Sequence, residues 1–375
     1  MSEEESKLTN AASVPDAAPE ATTKASLDAA TSAPADDIKK TIQSTTLTTD
    51  QATKLSKLID SIPQILVKLD NPNYDEIFGY RINTAEKPHV EINIRNEILL
   101  KFLAADNYDL ELSTQRLIKC LNWRNKFQPL HAAFDEKFDL ELDSLGVITN
   151  FPKANDNLHI ITWNLYGNLK NPKKIFEKFG GDGNSNNNGK DSAKGTEDLP
   201  GSQFLRWRIG LMEKSLQLID FTSKSNNKIG QIHDYNNVSM FRIDPGMKQA
   251  TKEIIDIFGT NYPELLSTKF FINVPLIMGW VFTFFKTIRV INEDTLKKFQ
   301  VLNHGDLSES LPKSELPSSY GGSGIGIGNG EKSKTKEGDI FSLDVSDSIE
   351  LSEYGEYVLK QRGDDEISHV NDEVE

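Results

Sequence analysis

The sequence predicts an α/β fold: a small all-helical lobe leading into a lobe of parallel strands and helices, framed by two polar tails. Two observations carry that expectation. Apolar residues recur at helical spacing before residue 130, and beyond it short β-branched and aromatic runs alternate with helical ones. Such alternation requires crossover helices, which leave neighbouring strands parallel.

Taken in order, residues 1–50 hold ten Ala, nine Thr and six Ser, and the first aromatic of the chain is Tyr74. A segment so poor in apolar bulk cannot offset its ordering entropy, so 1–50 is expected to be a disordered tail. The helical lobe is expected over 51–130. There Leu55, Leu58, Ile59, Ile62, Leu66 and Leu69 share one helical face, with Pro63 placed to end or kink it. Residues 94–105 and 114–127 read as two further helices. The α/β lobe is expected over 131–322, with strands at 156–165, 228–243, 267–274 and 299–302 and helices at 204–221 and 247–258. A flexible insert interrupts it at 176–202, and 323–375 reads as an acidic, largely flexible tail.

The stretch 270–288 is apolar enough to raise the question of a membrane span. Pro275 and Gly279 interrupt it, and Asn273 and Lys286 lie inside it. A strand followed by an apolar helix fits better than a span. A helix apolar all round faces a lipid cavity, a membrane surface or a deep core. The windows 180–201 and 321–330 hold six glycines each and read as loops. Neither is a phosphate cradle: Gly183 and Gly189-Lys190 miss the P-loop spacing by one residue, and Asp191 stands where Ser or Thr would bind magnesium.

Composition narrows the function classes. The 375-residue chain has a net charge of −14, but residues 1–50 carry −5 and 339–375 carry −10, leaving the body near +1. A neutral body argues against nucleic acid as partner and leaves an anionic membrane surface open. Cys120 is the one cysteine, so no internal disulfide exists and a reducing compartment is expected. The acidic start has no apolar signal region and the end no prenylation box.

Several runs then resemble a known family. Ile98-Leu-Leu-Lys-Phe-Leu103, Tyr108-Asp109 and Leu121-Asn-Trp-Arg124 resemble the helical lobe of the CRAL-TRIO (Sec-fourteen-like) lipid-binding proteins. Tyr262-Pro-Glu-Leu-Leu266, Phe271-Ile-Asn-Val-Pro275 and Leu316-Pro-Ser-Ser-Tyr-Gly-Gly322 resemble its later signatures, in the family's order. Thr162-Trp-Asn-Leu-Tyr-Gly167, Arg208-Ile-Gly-Leu-Met-Glu-Lys214 and Ile232-His-Asp-Tyr235 narrow the likeness to a fungal phosphatidylinositol-transfer branch. The resemblance implies a mixed, mostly parallel sheet flooring a ligand cavity closed by an apolar gating helix, with 270–288 as strand and gate. It implies a carrier of phosphatidylinositol rather than an enzyme, cytoplasmic and meeting endoplasmic-reticulum or plasma membranes peripherally. Glu264 and Lys298 match the family's headgroup positions; an ordinary ion pair is the plain alternative. One departure stands out. Relatives carry Arg-Ala-Arg after the Leu-Leu-Lys-Phe-Leu run, whereas this chain has Ala104-Ala-Asp106.

His233 and Tyr235 sit at i and i+2 on a strand and so point to one face of the sheet. A hydrogen-bonded pair inside the sheet is one account. The resemblance implies another, because the branch it points to holds haem b in its cavity. Carried over position by position, Tyr235 would be the axial iron ligand, with Tyr166, Arg208, His233 and Lys269 as the remaining pocket positions. Tyrosinate is an established haem ligand. Three readings follow: a phosphatidylinositol carrier, a haem-binding protein concerned with oxidant stress or haem handling, and a haem-dependent redox enzyme. No spare acid–base pair can be placed on a distal side, which argues against the third.

Overall fold

The computed structural model describes residues 35–84, 88–168, 178–180, 199–236, 245–274, 296–323 and 340–372, the backbone alone over 245–251 and 363–372. The helical lobe begins earlier than its composition suggests. Helix α1 (Ala35–Thr41) buries Ile38, and Ile42 and Leu47 follow it into the core. The chain between is held from a distance. The buried Glu97 carboxylate accepts from the Gln43 and Ser44 amides at 2.7 and 2.9 Å and from Ser44 Oγ at 2.6 Å. Residues 35–50, expected to belong to a disordered tail, are therefore structured, because a partner far along the chain pairs their backbone; residues 1–34 of that expected tail lie outside the described residues.

Thr48 opens α2 (Thr49–Asp60) with a capping box closed by Gln51. Pro63 falls in the first turn of a separate α3 (Ile62–Val67), where its missing N–H costs nothing. Helices α4 (Ile92–Ala105) and α5 (Leu110–Phe127) follow; Asp109 caps α5 through the Glu111 and Leu112 amides. A short hairpin, β1 (Glu76–Ile77) and β2 (Tyr80–Arg81), packs beside them, and α6 (Pro129–Phe134) and α7 (Leu140–Asp143) lead into the second lobe.

The main sheet holds β3 (Gly146–Asn150), β4 (Ile160–Leu165), β5 (Ile229–Asp234), β6 (Leu266–Ile272) and β7 (Phe299–Val301), in that spatial order. β3 runs antiparallel to β4 and the remaining pairs are parallel, the mixed, mostly parallel sheet expected. Helix α8 (Gln203–Leu216) crosses from β4 to β5, and α9 (Pro245–Asn261) from β5 to β6. The strand expected at 228–243 is shorter than predicted. Gly210 lets α8 lie against α6: a Cβ there would stand 2.6 Å from the Ala132 carbonyl oxygen.

Strand alternation sorts the sheet into two unlike faces. Ile161, Trp163, Leu165, Ile232, Phe270 and Ile272 form an apolar core on one side. Thr162, Asn164, Gln231, His233, Lys269 and Phe271 stand on the other, adjacent in register: Thr162 beside Gln231, Asn164 beside His233, Gln231 beside Lys269, His233 beside Phe271.

The acidic C-terminal segment, expected to be largely flexible over 323–375, packs against the lobe within 340–354. Val345 N–H donates to the Ile148 carbonyl at 2.9 Å and Asp344 Oδ1 accepts from Ile148 N–H at 3.1 Å, so the segment covers the β3 edge. Ile340 and Tyr354 are buried, the Tyr354 hydroxyl donates to Asp75, and α10 (Glu353–Asp372) ends the described chain. Among the described residues no helix is long and apolar enough to cross a membrane. The gating helix expected after β6 and most of the two glycine windows lie outside the described residues.

Candidate functional site

The polar face of the sheet carries one cluster. Tyr166 opens the single 3-10 turn Tyr166–Asn168 that ends β4. His233 is the fifth residue of β5, and Tyr235 lies just past the strand with its N–H donating to the Ile272 carbonyl at 3.1 Å. Lys269 is on β6 and Arg208 on α8, which packs across this face. The Tyr166 ring centroid stands 5.5 Å from that of His233 and 5.6 Å from that of Tyr235, and Phe271 lies 5.3 Å from His233. All five expected pocket residues therefore meet: Lys269 Nζ sits over Phe271 at 5.5 Å, and Arg208 faces Tyr166 from the helix.

The electrostatics are those of an enclosed cluster whose polar atoms are under-satisfied. Tyr166, Tyr235 and Lys269 keep accessible surface, yet burial dominates the titration of each. Burial pushes both phenols up, Tyr235 well beyond the ordinary tyrosine value. Burial, with the Arg208 charge, brings Lys269 down to about 7. Burial and the charges of Lys269 and Arg208 hold His233 well below its usual value, so its ring is neutral. Neither cation has a carboxylate partner among the described residues. Arg208 Nη1 and Nη2, His233 Nε2, Thr162 Oγ1 and Asn164 Oδ1 are all buried without a hydrogen-bond partner. Five such atoms near one face are far more than packing tolerates, and they mark a surface built for a polar ligand or ordered water. Thr162 and Asn164 were not singled out from the sequence. The signal was there, because they precede Tyr166 at i−4 and i−2 on its strand.

The other predicted pair lies elsewhere. Glu264 and Lys298 stand together, Lys298 Nζ 3.6 Å from Glu264 Oε2, at the opposite end of the strands. Lys228, which sequence reasoning missed, approaches the same oxygen at 3.7 Å. Buried Lys101 donates to the Glu264 backbone carbonyl at 3.3 Å. Asp106, the departure from the Arg-Ala-Arg run, does not face this group freely: Arg116 grips both its oxygens at 2.9 and 2.7 Å and ties it to the Gly259 carbonyl. Among the described residues no group of His, Cys, Asp and Glu could hold a metal ion.

A family model described as the CRAL/TRIO domain matches residues 182–322. The phosphatidylinositol transfer protein SFH5 of Candida albicans is 70% identical over 340 residues, 91% of this chain and 98% of its own length. The chain belongs to the CRAL/TRIO family. Within that family, the SFH5 protein of Lodderomyces elongisporus is 65% identical over 356 residues, 90% of this chain and 82% of its own. The crystal structure of Sfh5 superposes with a TM-score of 0.69 at 34% identity, covering 84% of this chain and 97% of that one. These CRAL/TRIO relatives are named for lipid transfer and not for a chemical reaction, in keeping with a non-enzymatic reading.

Proposed function

We propose that this CRAL/TRIO protein binds phosphatidylinositol and moves it between membranes, with Glu264 and Lys298 at the inositol headgroup. The observation that carries the reading is the partly exposed Lys298–Glu264 pair, beside a sheet whose polar face holds buried atoms without hydrogen-bond partners. The need for a carrier is physical. Each acyl CH₂ moved into water costs about 0.8 kcal/mol, so ~30 of them cost roughly 25 kcal/mol. A protein that docks at an endoplasmic-reticulum or plasma-membrane surface and encloses the chains avoids that cost without making or breaking a bond. Transfer of phosphatidylinositol between vesicles is the test: Glu264→Ala and Lys298→Ala should each reduce it, and undiminished transfer by both would sink the assignment.

A second ligand is favoured by a separate observation. The residues on this face fit haem b: a phenol at Tyr235, flanking rings from Tyr166 and His233, and two buried basic groups, Arg208 and Lys269, without carboxylate partners among the described residues. The cations suit the two propionates. Haem would supply a ferric iron for the Tyr235 oxygen, whose ionisation burial and the neighbouring Tyr166 otherwise oppose. Roles in oxidant stress or haem handling depend on this reading. The absorption spectrum of the purified protein decides it. A Soret band abolished by Tyr235→Phe, with phosphatidylinositol transfer retained, is expected; a colourless protein from haem-replete cells would return His233 and Tyr235 to a structural pair.

A further inference from the structure

Lys228 lies outside every motif that marks the family, yet it stands beside both headgroup residues. Parallel register puts it there. Lys228 directly precedes β5, Glu264 lies two residues ahead of β6 and Lys298 directly precedes β7, so three adjacent strands deliver them to one end of the sheet. Lys228 and Lys298 approach a single oxygen, Glu264 Oε2, at 3.7 and 3.6 Å. Both separations exceed ordinary hydrogen-bond reach, about 3.2 Å. All three side chains are partly exposed, so the carboxylate holds the two ammonium groups loosely, in reach of solvent and within bridging distance of one phosphate.

Behind them stands Lys101, buried, its Nζ donating to the Asn227 carbonyl at 3.0 Å as well as to that of Glu264. The neighbouring carboxylates are committed elsewhere: Glu97, one turn earlier on α4, to Gln43 and Ser44, and Asp106 to Arg116. Among the described residues Lys228 and Lys298 thus share the Glu264 carboxylate, and Lys101, brought down to about 7 by burial and the Lys228 charge, is only partly protonated near neutral pH. The strain registers on Lys228, whose affinity for its proton is lowered by burial and then by Lys298.

We propose that Lys228, standing beside Lys298 at Glu264, lets this site take a phosphomonoester beside the lipid's own diester, so that its preferred ligand is a ring-phosphorylated inositol, as lipid or as free inositol phosphate. The inference rests on the inositol reading above. A phosphodiester brings one negative charge, whereas a monoester brings roughly −1.5 to −2 near neutral pH. The diester engages one ammonium group and a ring monoester the other, each ammonium supplying charge-assisted donors to phosphate oxygens.

Full-length protein is titrated with inositol bisphosphate and with inorganic phosphate. Its uptake of phosphatidylinositol and of ring-phosphorylated phosphatidylinositol from phosphatidylcholine vesicles is measured in parallel. The wild type should prefer the ring-phosphorylated form. Lys228→Ala should lose about tenfold of that preference while plain phosphatidylinositol transfer changes by no more than about twofold, and Lys228→Arg should restore it. Tight binding of inositol bisphosphate without vesicles points to the free headgroup as the source, and selective uptake from vesicles alone points to the lipid; either supports the proposal. A wild type that prefers unphosphorylated lipid, a Lys228→Ala protein with unchanged preference, or inorganic phosphate bound as well as inositol bisphosphate overturns it and leaves phosphatidylinositol transfer standing. A wild type that transfers no phosphatidylinositol yet binds inositol bisphosphate through Lys228 overturns the carrier reading instead.

Discussion

Arg124 sits fully buried between two carboxylates, and that stoichiometry makes a sharp prediction. Its Nε and Nη2 donate to Glu76 at 3.1 and 2.8 Å, and its Nη1 and Nη2 donate to Glu213 at 2.7 and 3.2 Å. The Tyr74 hydroxyl donates to Glu76 at 2.7 Å and the Tyr262 hydroxyl to Glu213 at 2.6 Å. The cluster joins α5 and the β1–β2 hairpin to α8, and it holds one positive charge against two negative. Replacing Arg124 by Met strands both carboxylates in the core, and breaking a buried pair in this way costs about 3–5 kcal/mol. Glu213→Gln should be far milder. It keeps the shape and the Tyr262 bond, leaves Arg124 paired with Glu76 and removes the surplus charge, for a cost of about 1 kcal/mol or less at neutral pH.

The same surplus sets a pH dependence. Burial, opposed by Arg124 and reinforced by Glu76, raises the affinity of Glu213 for its proton. A carboxyl whose folded value lies above the unfolded one stabilises the fold fully below the unfolded value, about 4.3, and loses that contribution as pH rises through the folded value. Wild-type stability should therefore gain from this group as pH falls toward 4.3, and Glu213→Gln should lack that gain. Urea denaturation of the three proteins across this range is the assay, because the difference between variant and wild type cancels the other titrating groups. If Glu213→Gln costs as much as Arg124→Met, or keeps the wild-type slope with pH, the charge accounting is wrong.

Two further perturbations test the packing. Glu97→Ala leaves the Gln43 and Ser44 donors without their acceptor and should cost about 2 kcal/mol, with hydrogen exchange at 35–48 rising well above that of α5; equal protection in both proteins would show that another group holds the segment. Gly210→Ala drives a methyl against the Ala132 carbonyl and should lower stability by about 1–3 kcal/mol in thermal unfolding; an unchanged midpoint would mean that α6 and α8 are not so close.

What the sequence made legible follows the range over which each signal acts. Local patterns sufficed for α2 to α5, for α8 and for β4 to β7, where helical spacing or β-branched runs speak within a dozen residues. Pro63 was legible as a break, and it does divide α2 from α3. β3 escaped notice because Gly146–Asn150 is short and lacks an aromatic, and it is a strand only because β4 pairs with it. Helix α1 escaped because the carboxylate that anchors the chain beyond it lies more than fifty residues away. The C-terminal segment read as a tail for a similar reason: its partners, Ile148, Gly79 and Asp75, sit some two hundred residues or more earlier.

The site divides along the same line. His233 and Tyr235 declare themselves by alternation on one strand, whereas Lys228 and Lys101 join Glu264 through parallel register and lobe packing. The two clusters occupy opposite ends of β5, a strand of six residues and so roughly 20 Å long. Their environments differ in kind. At the amino ends of the strands, Lys228, Lys298 and Glu264 are partly exposed and loosely paired, where water screens each interaction and a bound headgroup can leave. Toward the carboxyl ends, Arg208 is enclosed near a neutral His233, with Lys269 midway along β6, its N–H donating to the Lys298 carbonyl at 2.9 Å, and low polarity makes each contact to an anion worth more. On the proposed reading, one sheet therefore carries an exchangeable ligand at one end and a retained one at the other. Substitutions at Glu264 or Lys298 and at Tyr235 should separate the two activities because no side chain is shared between them.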